Sequence, residues 1–309
     1  MPYLGGKQTL VPKLLPLIPE HVCYVEVFGG AGSLLLNKPP SKIEVWNDLD
    51  GELVNLFEVI RDDVDAFLKR ADFLLYSREL YQRWQSDLEN SRQPEDRVER
   101  AVRFWYVIRS AFGAHPGKGW AFQRARPRNS ARVVQNALSN IRAIHERLKT
   151  VEIDHLDFRH CIRNRDAATT FLYVDPPYLE TEQYRAGNFT LEDHRDLARI
   201  LRDASSKWLM TIGDHLEIRA LYSKFPQSII TSHIAVKKVI RGKRDRLRHL
   251  LIRNYEPPKV PLYTAVAGQA SVMDLFGLGT SGQEIRSSNK RSAHLPHQTW
   301  KTRAAQTPC

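Results

Sequence analysis

The run "VCYVEVF" (residues 22–28) leads directly into Gly29, Gly30, Ala31 and Gly32, and then into "SLLLNK". An apolar, β-branched run, a glycine cluster and a leucine-rich run in that order spell strand, tight turn and helix. A second strand candidate carries Ile43, Val45 and Trp46 and ends at "NDLD". A helical pattern follows from Gly51 to Ala71, with Leu53, Leu56, Phe57 and Ile60 on one face. Strand–helix–strand–helix at this spacing predicts a parallel α/β sheet of the Rossmann-like kind.

Further strands are expected at 151–154, 170–175 and 207–212, with a helix at 191–204 that opens on a Thr190/Asp193 capping box. "SIITSHIAVKKVI" and "LRHLLIRNY", separated only by "RGKRDR", read as an antiparallel hairpin at the sheet edge. Residues 61–149 break the alternation and read as helices around a glycine- and arginine-rich loop. The expected organisation is therefore one α/β domain built from residues 1–60 and 150–258, with 61–149 inserted between its halves. Pro257 and Pro258 close the fold, and 259–309 is expected to be a flexible basic tail.

Composition narrows the function classes. The 309 residues carry a formal net charge of +11, which favours a polyanionic partner, most simply nucleic acid. No apolar run approaches membrane-spanning length, and the start lacks the pattern of a secretory signal. Cys23, Cys161 and Cys309 are too dispersed for a disulfide framework or a cysteine zinc site, so a reducing, cytoplasmic setting is expected. His155, His160 and Cys161 match no metal-ligand spacing, and no metal is expected.

Four short stretches have the composition of a binding site. The turn at Gly29, Gly30 and Gly32 lets backbone approach a ligand closely. It lacks the third glycine of GxGxxG, where Leu35 stands, and it is not a GxxxxGK[ST] loop; a nucleoside without a diphosphate suits it better than a dinucleotide. Asp48 stands about twenty residues on, the reach of an acid that accepts from ribose hydroxyls. Asp50 is the natural cap of the helix after it. "YLGGK" offers the Tyr3 ring and the Lys7 cation, which would pair with a carboxylate. Finally, "FLYVDPPYLE" places Asp175, Pro176, Pro177 and Tyr178 at the carboxyl end of a strand, where open α/β sheets bind ligands. The prolines have no N–H and fix φ, so the Pro176 carbonyl and Asp175 become two fixed acceptors beside a flat ring. That set suits the amino group of a planar heterocycle; a plain Asp-Pro-Pro turn over a core tyrosine is the alternative.

Taken in order, "YLGGK", "FGGAG", "NDLD" with "HLDF", and "DPPY" resemble the S-adenosylmethionine-dependent DNA adenine-N6 methyltransferases, specifically the DNA adenine methylase (D12 class) family. The resemblance spans about residues 2–256. It implies cofactor contacts from Tyr3, Lys7, Phe28, Gly29, Gly30, Gly32, Asp48, Asp157, Phe158 and Asp175, and catalysis by Asp175, Pro176, Pro177 and Tyr178 on adenine N6 of double-stranded DNA after base flipping. N4 of cytosine in DNA, adenine in RNA, and a non-catalytic DNA-binding protein on the same fold stay open. A restriction partner, phage defence evasion or regulation, in a bacterial or phage-infected cell, would each suit such an enzyme.

Two basic clusters are the expected DNA contacts. One carries Arg109, Lys118, Arg124, Arg126, Arg128 and Arg132, interleaved with Phe112, Trp120 and Phe122. The other carries Lys237, Lys238, Arg241, Lys243, Arg244, Arg246 and Arg248. "LETEQYRAGNF" would close over an extruded base through Tyr184 or Phe189, and "VMDLF" (272–276) resembles short peptides that bind bacterial sliding clamps.

Overall fold

A computed structural model describes residues 7–112, 119–122, 129–179, 187–233 and 246–263, with the side chains of His233 and Arg246 left out. The strands are β1 (Cys23–Glu26), β2 (Ile43–Asn47), β3 (Val151–Asp154), β4 (Thr170–Val174), β5 (Lys207–Gly213), β6 (Gln227–His233) and β7 (Arg246–Arg253). They form one sheet in the order β3-β2-β1-β4-β5-β7-β6. The first five are parallel to one another; β7 runs antiparallel to β5 and to β6. The expected hairpin is therefore present, with β6 alone at the edge and β7 inside it.

Strand periodicity decides the layers. Along β4, Phe171 and Tyr173 face one hydrophobic cluster while Leu172 and Val174 face another. On β5, Leu209 joins the first cluster, and Trp208, Met210 and Ile212 join the second. Both faces are covered, so these strands are largely apolar, as buried parallel strands tend to be, with Thr170 on β4 and Lys207 and Thr211 on β5 the exceptions. The second face is closed by α8 (Phe158–Arg165), α9 (Leu191–Asp203) and α10 (Leu216–Leu221). The capping box of α9 forms as expected, with Thr190 and Asp193 exchanging side-chain and backbone bonds.

The first face is covered by α1 (Val11–Leu14), α2 (Gly51–Asp62), α3 (Val64–Ala71), α4 (Arg78–Glu89), α5 (Arg97–Ser110), α6 (Ser130–Ser139) and α7 (Ile141–Leu148). Five of these helices lie in the segment that breaks the strand–helix rhythm. They do not enclose a core of their own: Trp84, Trp105, Tyr106 and Ile144 belong to the same cluster as Tyr24, Trp46 and Phe171 of the sheet. The described residues all fall within one compact unit, Met1–Gly279.

Two local expectations need correction. The helix expected through Ala71 breaks at Asp63 (φ −130°, ψ 36°), where adjacent acids oppose the negative end of α2 and Asp63 turns to Arg97 Nη2 at 2.8 Å. "SLLLNK" makes a single 3₁₀ turn, Leu35–Asn37, because Pro39 and Pro40 follow at once.

Candidate active site

Strand order reverses between β1 and β4, and that switch point sets the site. Glu26 pairs with Tyr173 in the register, and Val27 N–H still donates to Tyr173 O at 3.1 Å. The chain after β1 and the chain after β4 therefore emerge side by side. One is the glycine turn; the other is Asp175-Pro-Pro-Tyr178.

A cavity of about 300 Å³ lies where they emerge. Lys7, Phe28, Gly29, Gly30, Asp48, Asp157, Phe158, Asp175, Pro176, Pro177 and Tyr178 all line it. These residues come from five separate stretches of sequence, so their convergence is a property of the fold. Gly32 is not among the lining residues. With φ at +61° it shapes the turn, its N–H bonding to Gly29 O at 2.8 Å. Gly29 is required for a different reason, because a Cβ there would meet the Trp46 indole at 2.3 Å.

Asp48 secures the turn. Its Oδ2 accepts from Gly30 N–H at 2.7 Å and its Oδ1 from Asp50 N–H at 2.9 Å. Burial pushes its carboxyl up to about 6, against the pull of those backbone donors. Asp50 caps α2, accepting from Glu52 N–H. Asp157 caps α8 and accepts from Arg159 N–H at 2.9 Å, while Phe158 stacks on Phe28 at 5.7 Å between centroids. Phe189 packs edge-on against Phe28, which places this residue at the cavity, whereas Tyr184 lies outside the described residues.

The Asp175 carboxylate is held from one side. Lys7 Nζ lies 2.7 Å from Oδ1, and the Thr211 hydroxyl donates to Oδ1 at 2.9 Å. Among the described residues no hydrogen bond ends on Oδ2. Burial raises the Asp175 carboxyl above its ordinary range, with Lys7 the main force opposing that rise. Lys7, expected to meet a ligand carboxylate, thus pairs with Asp175 and also lies 4.8 Å above the Tyr178 ring centre. The Tyr178 hydroxyl bonds to His249 Nδ1 at 2.8 Å.

Several participants were not singled out from sequence. Glu26 lines the cavity with 1% exposure; burial moves its carboxyl up to about 7, although Tyr24 OH and Leu35 N–H donate to Oε1. A lone acid inside "VCYVEVF" was a visible signal. Asn47 staples β1 to the chain after β3, donating to Val27 O and Leu156 O and accepting from Leu156 N–H. Thr211 and His249 reach the site from β5 and β7 through sheet pairing, which no local pattern encodes.

The expected DNA contacts divide. Arg109 is 7% exposed and donates to Val133 O at 2.9 Å, tying α5 to α6. Lys118, Arg124, Arg126, Arg128, Lys238, Arg241, Lys243 and Arg244 lie outside the described residues, as do Tyr3 and residues 272–276; Arg246 is described only as backbone in β7. Trp120 stacks between Tyr76 and Phe122 with Arg78 over its ring. Among the described residues no cluster of acids, histidines and cysteines is arranged to hold a metal ion. No described helix is long and apolar enough to cross a membrane.

Comparison with known proteins agrees with this geometry. A family model described as D12 class N6 adenine-specific DNA methyltransferase matches residues 3–239. A Type II methyltransferase of Lactococcus lactis subsp. cremoris is 24% identical, covering 82% of this chain and 94% of its own length. A Type II methyltransferase of Paramecium bursaria Chlorella virus NC1A is 25% identical, over 81% of this chain and 97% of its own. The DNA adenine methylase of Escherichia coli (strain K12) is 25% identical, over 64% and 73%. With its matched segment covering six of the seven strands and the glycine-turn, Asp48, Asp157 and Asp175–Tyr178 stretches of the cavity, the chain belongs to the D12 class N6 adenine-specific DNA methyltransferases, which methylate adenine N6 in DNA.

Proposed function

We propose that the cavity takes S-adenosylmethionine together with an adenine extruded from double-stranded DNA, and that Asp175 orients the adenine amino group for transfer. The observation that carries this reading is the one-sided hold on Asp175. With Lys7 and Thr211 both on Oδ1, Oδ2 is the oxygen left to accept an N6 hydrogen.

The lining suits this cofactor. Glu26 is a buried acid and Asp48 a half-buried one; their raised pKa values fall when a cation arrives, so the ammonium and sulfonium charges would ionise them. Phe28 and Phe158 offer apolar ring surface for an adenine, and Asp48 has lone pairs remaining for ribose hydroxyls. When bound, the cofactor supplies an electrophilic methyl group. The N6 lone pair of adenine is delocalised into the ring. Hydrogen bonds from its two N–H groups to Asp175 and the Pro176 carbonyl favour a pyramidal nitrogen and localise that pair. The new N–C bond forms as the S–C bond breaks, and the surplus N6 proton leaves toward Asp175 or water. Fixed acceptors of this kind act through positioning and electrostatics. Extruding the base costs a few kcal/mol, offset by stacking on Tyr178 and by phosphate contacts.

Residues 61–149 are proposed as the target-recognition region. In sequence, Lys118, Arg124, Arg126 and Arg128 stand on either side of Trp120 and Phe122, and Arg78 covers those two rings. The basic segment between β6 and β7 would add phosphate contacts.

The reading is tested with labelled S-adenosylmethionine, duplex DNA and RNA, followed by nucleoside analysis. N6-methyladenine in duplex DNA is the expected product. N4-methylcytosine, or label in RNA alone, would overturn it.

A further inference from the structure

Tyr178 sits on a loop beyond β4, and an aromatic χ2 torsion is soft. A ring that must face a base needs its plane fixed to within about 10–20°. Among the described residues, contacts from three sides bear on it. Lys7 Nζ lies over the ring, and Gly213 at the end of β5 packs so close that a Cβ there would stand 3.1 Å from Tyr178 Cδ2. The third contact is the bond from the phenol oxygen to His249 Nδ1.

His249 is itself tied down. Its Nε2 lies 2.7 Å from Ser232 Oγ on β6, and the residue is 3% exposed on β7. A neutral imidazole satisfies both neighbours: the nitrogen bearing the proton donates to one hydroxyl, and the other nitrogen accepts from its partner. Burial and the nearby Lys7 and Lys13 charges push its pKa down to about 4, so the ring is neutral at ordinary pH. Both partners are hydroxyls, and the chain Ser232–His249–Tyr178 runs from the edge strand of the sheet to the loop that carries the reaction.

We propose that His249 is a positioning residue for methyl transfer: anchored by Ser232, it grips the Tyr178 hydroxyl and fixes the plane of the ring that receives the target base. The inference rests on the reading of Tyr178 as that ring. It explains why a tyrosine serves where phenylalanine would stack as well. It also gives the antiparallel β6–β7 pair a part in the reaction.

The test is a double-mutant cycle with Tyr178→Phe and His249→Leu, with His249→Asn as the conservative variant that keeps a polar group near the Nδ1 position. Cofactor affinity and single-turnover methyl transfer to duplex DNA are both measured. Each of Tyr178→Phe and His249→Leu should lower the transfer rate by about tenfold, less than the roughly hundredfold that a 1 Å misplacement of reacting groups can cost, with cofactor affinity unchanged within about twofold. The double variant should be no slower than either single one, and His249→Asn should recover most of the rate. Full activity in Tyr178→Phe, which leaves the core intact, overturns the inference without touching the stacking role. Additive losses in the double variant also overturn it. Full activity in Tyr178→Ala would overturn the stacking role itself, and the inference with it.

Discussion

If Asp175 accepts from adenine N6 as proposed, its pairing with Lys7 would govern the acid limb of the reaction. Asp175 must be ionised to accept from N6, and burial works against that; Lys7 at 2.7 Å opposes the burial. Lys7→Met should therefore raise the Asp175 pKa further and move the acid limb of the single-turnover pH–rate profile toward higher pH. An unmoved limb would separate Lys7 from that role. Glu26 has the opposite kind of consequence. Its folded-state pKa of about 7 exceeds the ordinary 4.5, so its contribution to stability is full below about pH 4.5 and is lost as pH rises through 7. Glu26→Gln should thus melt higher than the wild type at pH 8 without cofactor, gain little at pH 4, and bind S-adenosylmethionine more weakly. Calorimetric melts at the two pH values and a binding titration check this. Asp175 was legible in the sequence because two prolines and a tyrosine mark it. Glu26 is not legible there, because one acid in an apolar strand carries no mark until its burial is known.

Among the elements, the turn after β1 is held by parts far away in sequence. Arg147 on α7 bonds both oxygens of Glu44 on β2 and donates to Leu35 O at 2.8 Å, just past the glycine turn. Glu44 also pairs with buried Lys38. Removing one member of a buried charge network leaves the others uncompensated, so Arg147→Met should destabilise the fold by about 3 kcal/mol. It should also weaken cofactor binding, because the turn loses a support. Urea denaturation and the same titration measure the two effects, and an unchanged stability would contradict the account of the network. Strands and helices beside the sheet were readable because alternation and 3.6-residue periodicity survive burial. Helices between 61 and 149 were readable individually, but their packing onto the sheet was not. Their apolar faces say that they bury something, and only the fold says that it is the sheet. Arg109 shows that gap: an arginine beside a basic stretch reads as a phosphate contact, and only the fold shows it largely buried with a bond to Val133 O.

For the whole molecule, a net charge of +11 on an enzyme of DNA makes affinity strongly dependent on salt. Replacing Arg244 and Arg246 by Glu should lower the slope of log affinity against log salt by about 2, with methylated positions unchanged. A slope that stays put would move the phosphate path away from the β6–β7 segment. The convergence of five stretches on one cavity is what joins these properties to a reaction. Its most direct test is Asp175→Asn, which keeps the shape and removes the charge. S-adenosylmethionine binding and single-turnover transfer to adenine in duplex DNA are measured on the same preparation. The account predicts cofactor affinity within a few-fold of wild type and transfer reduced by at least about a thousandfold, the scale of losing a preorganised electrostatic group. Transfer at the wild-type rate with the cofactor bound would contradict it.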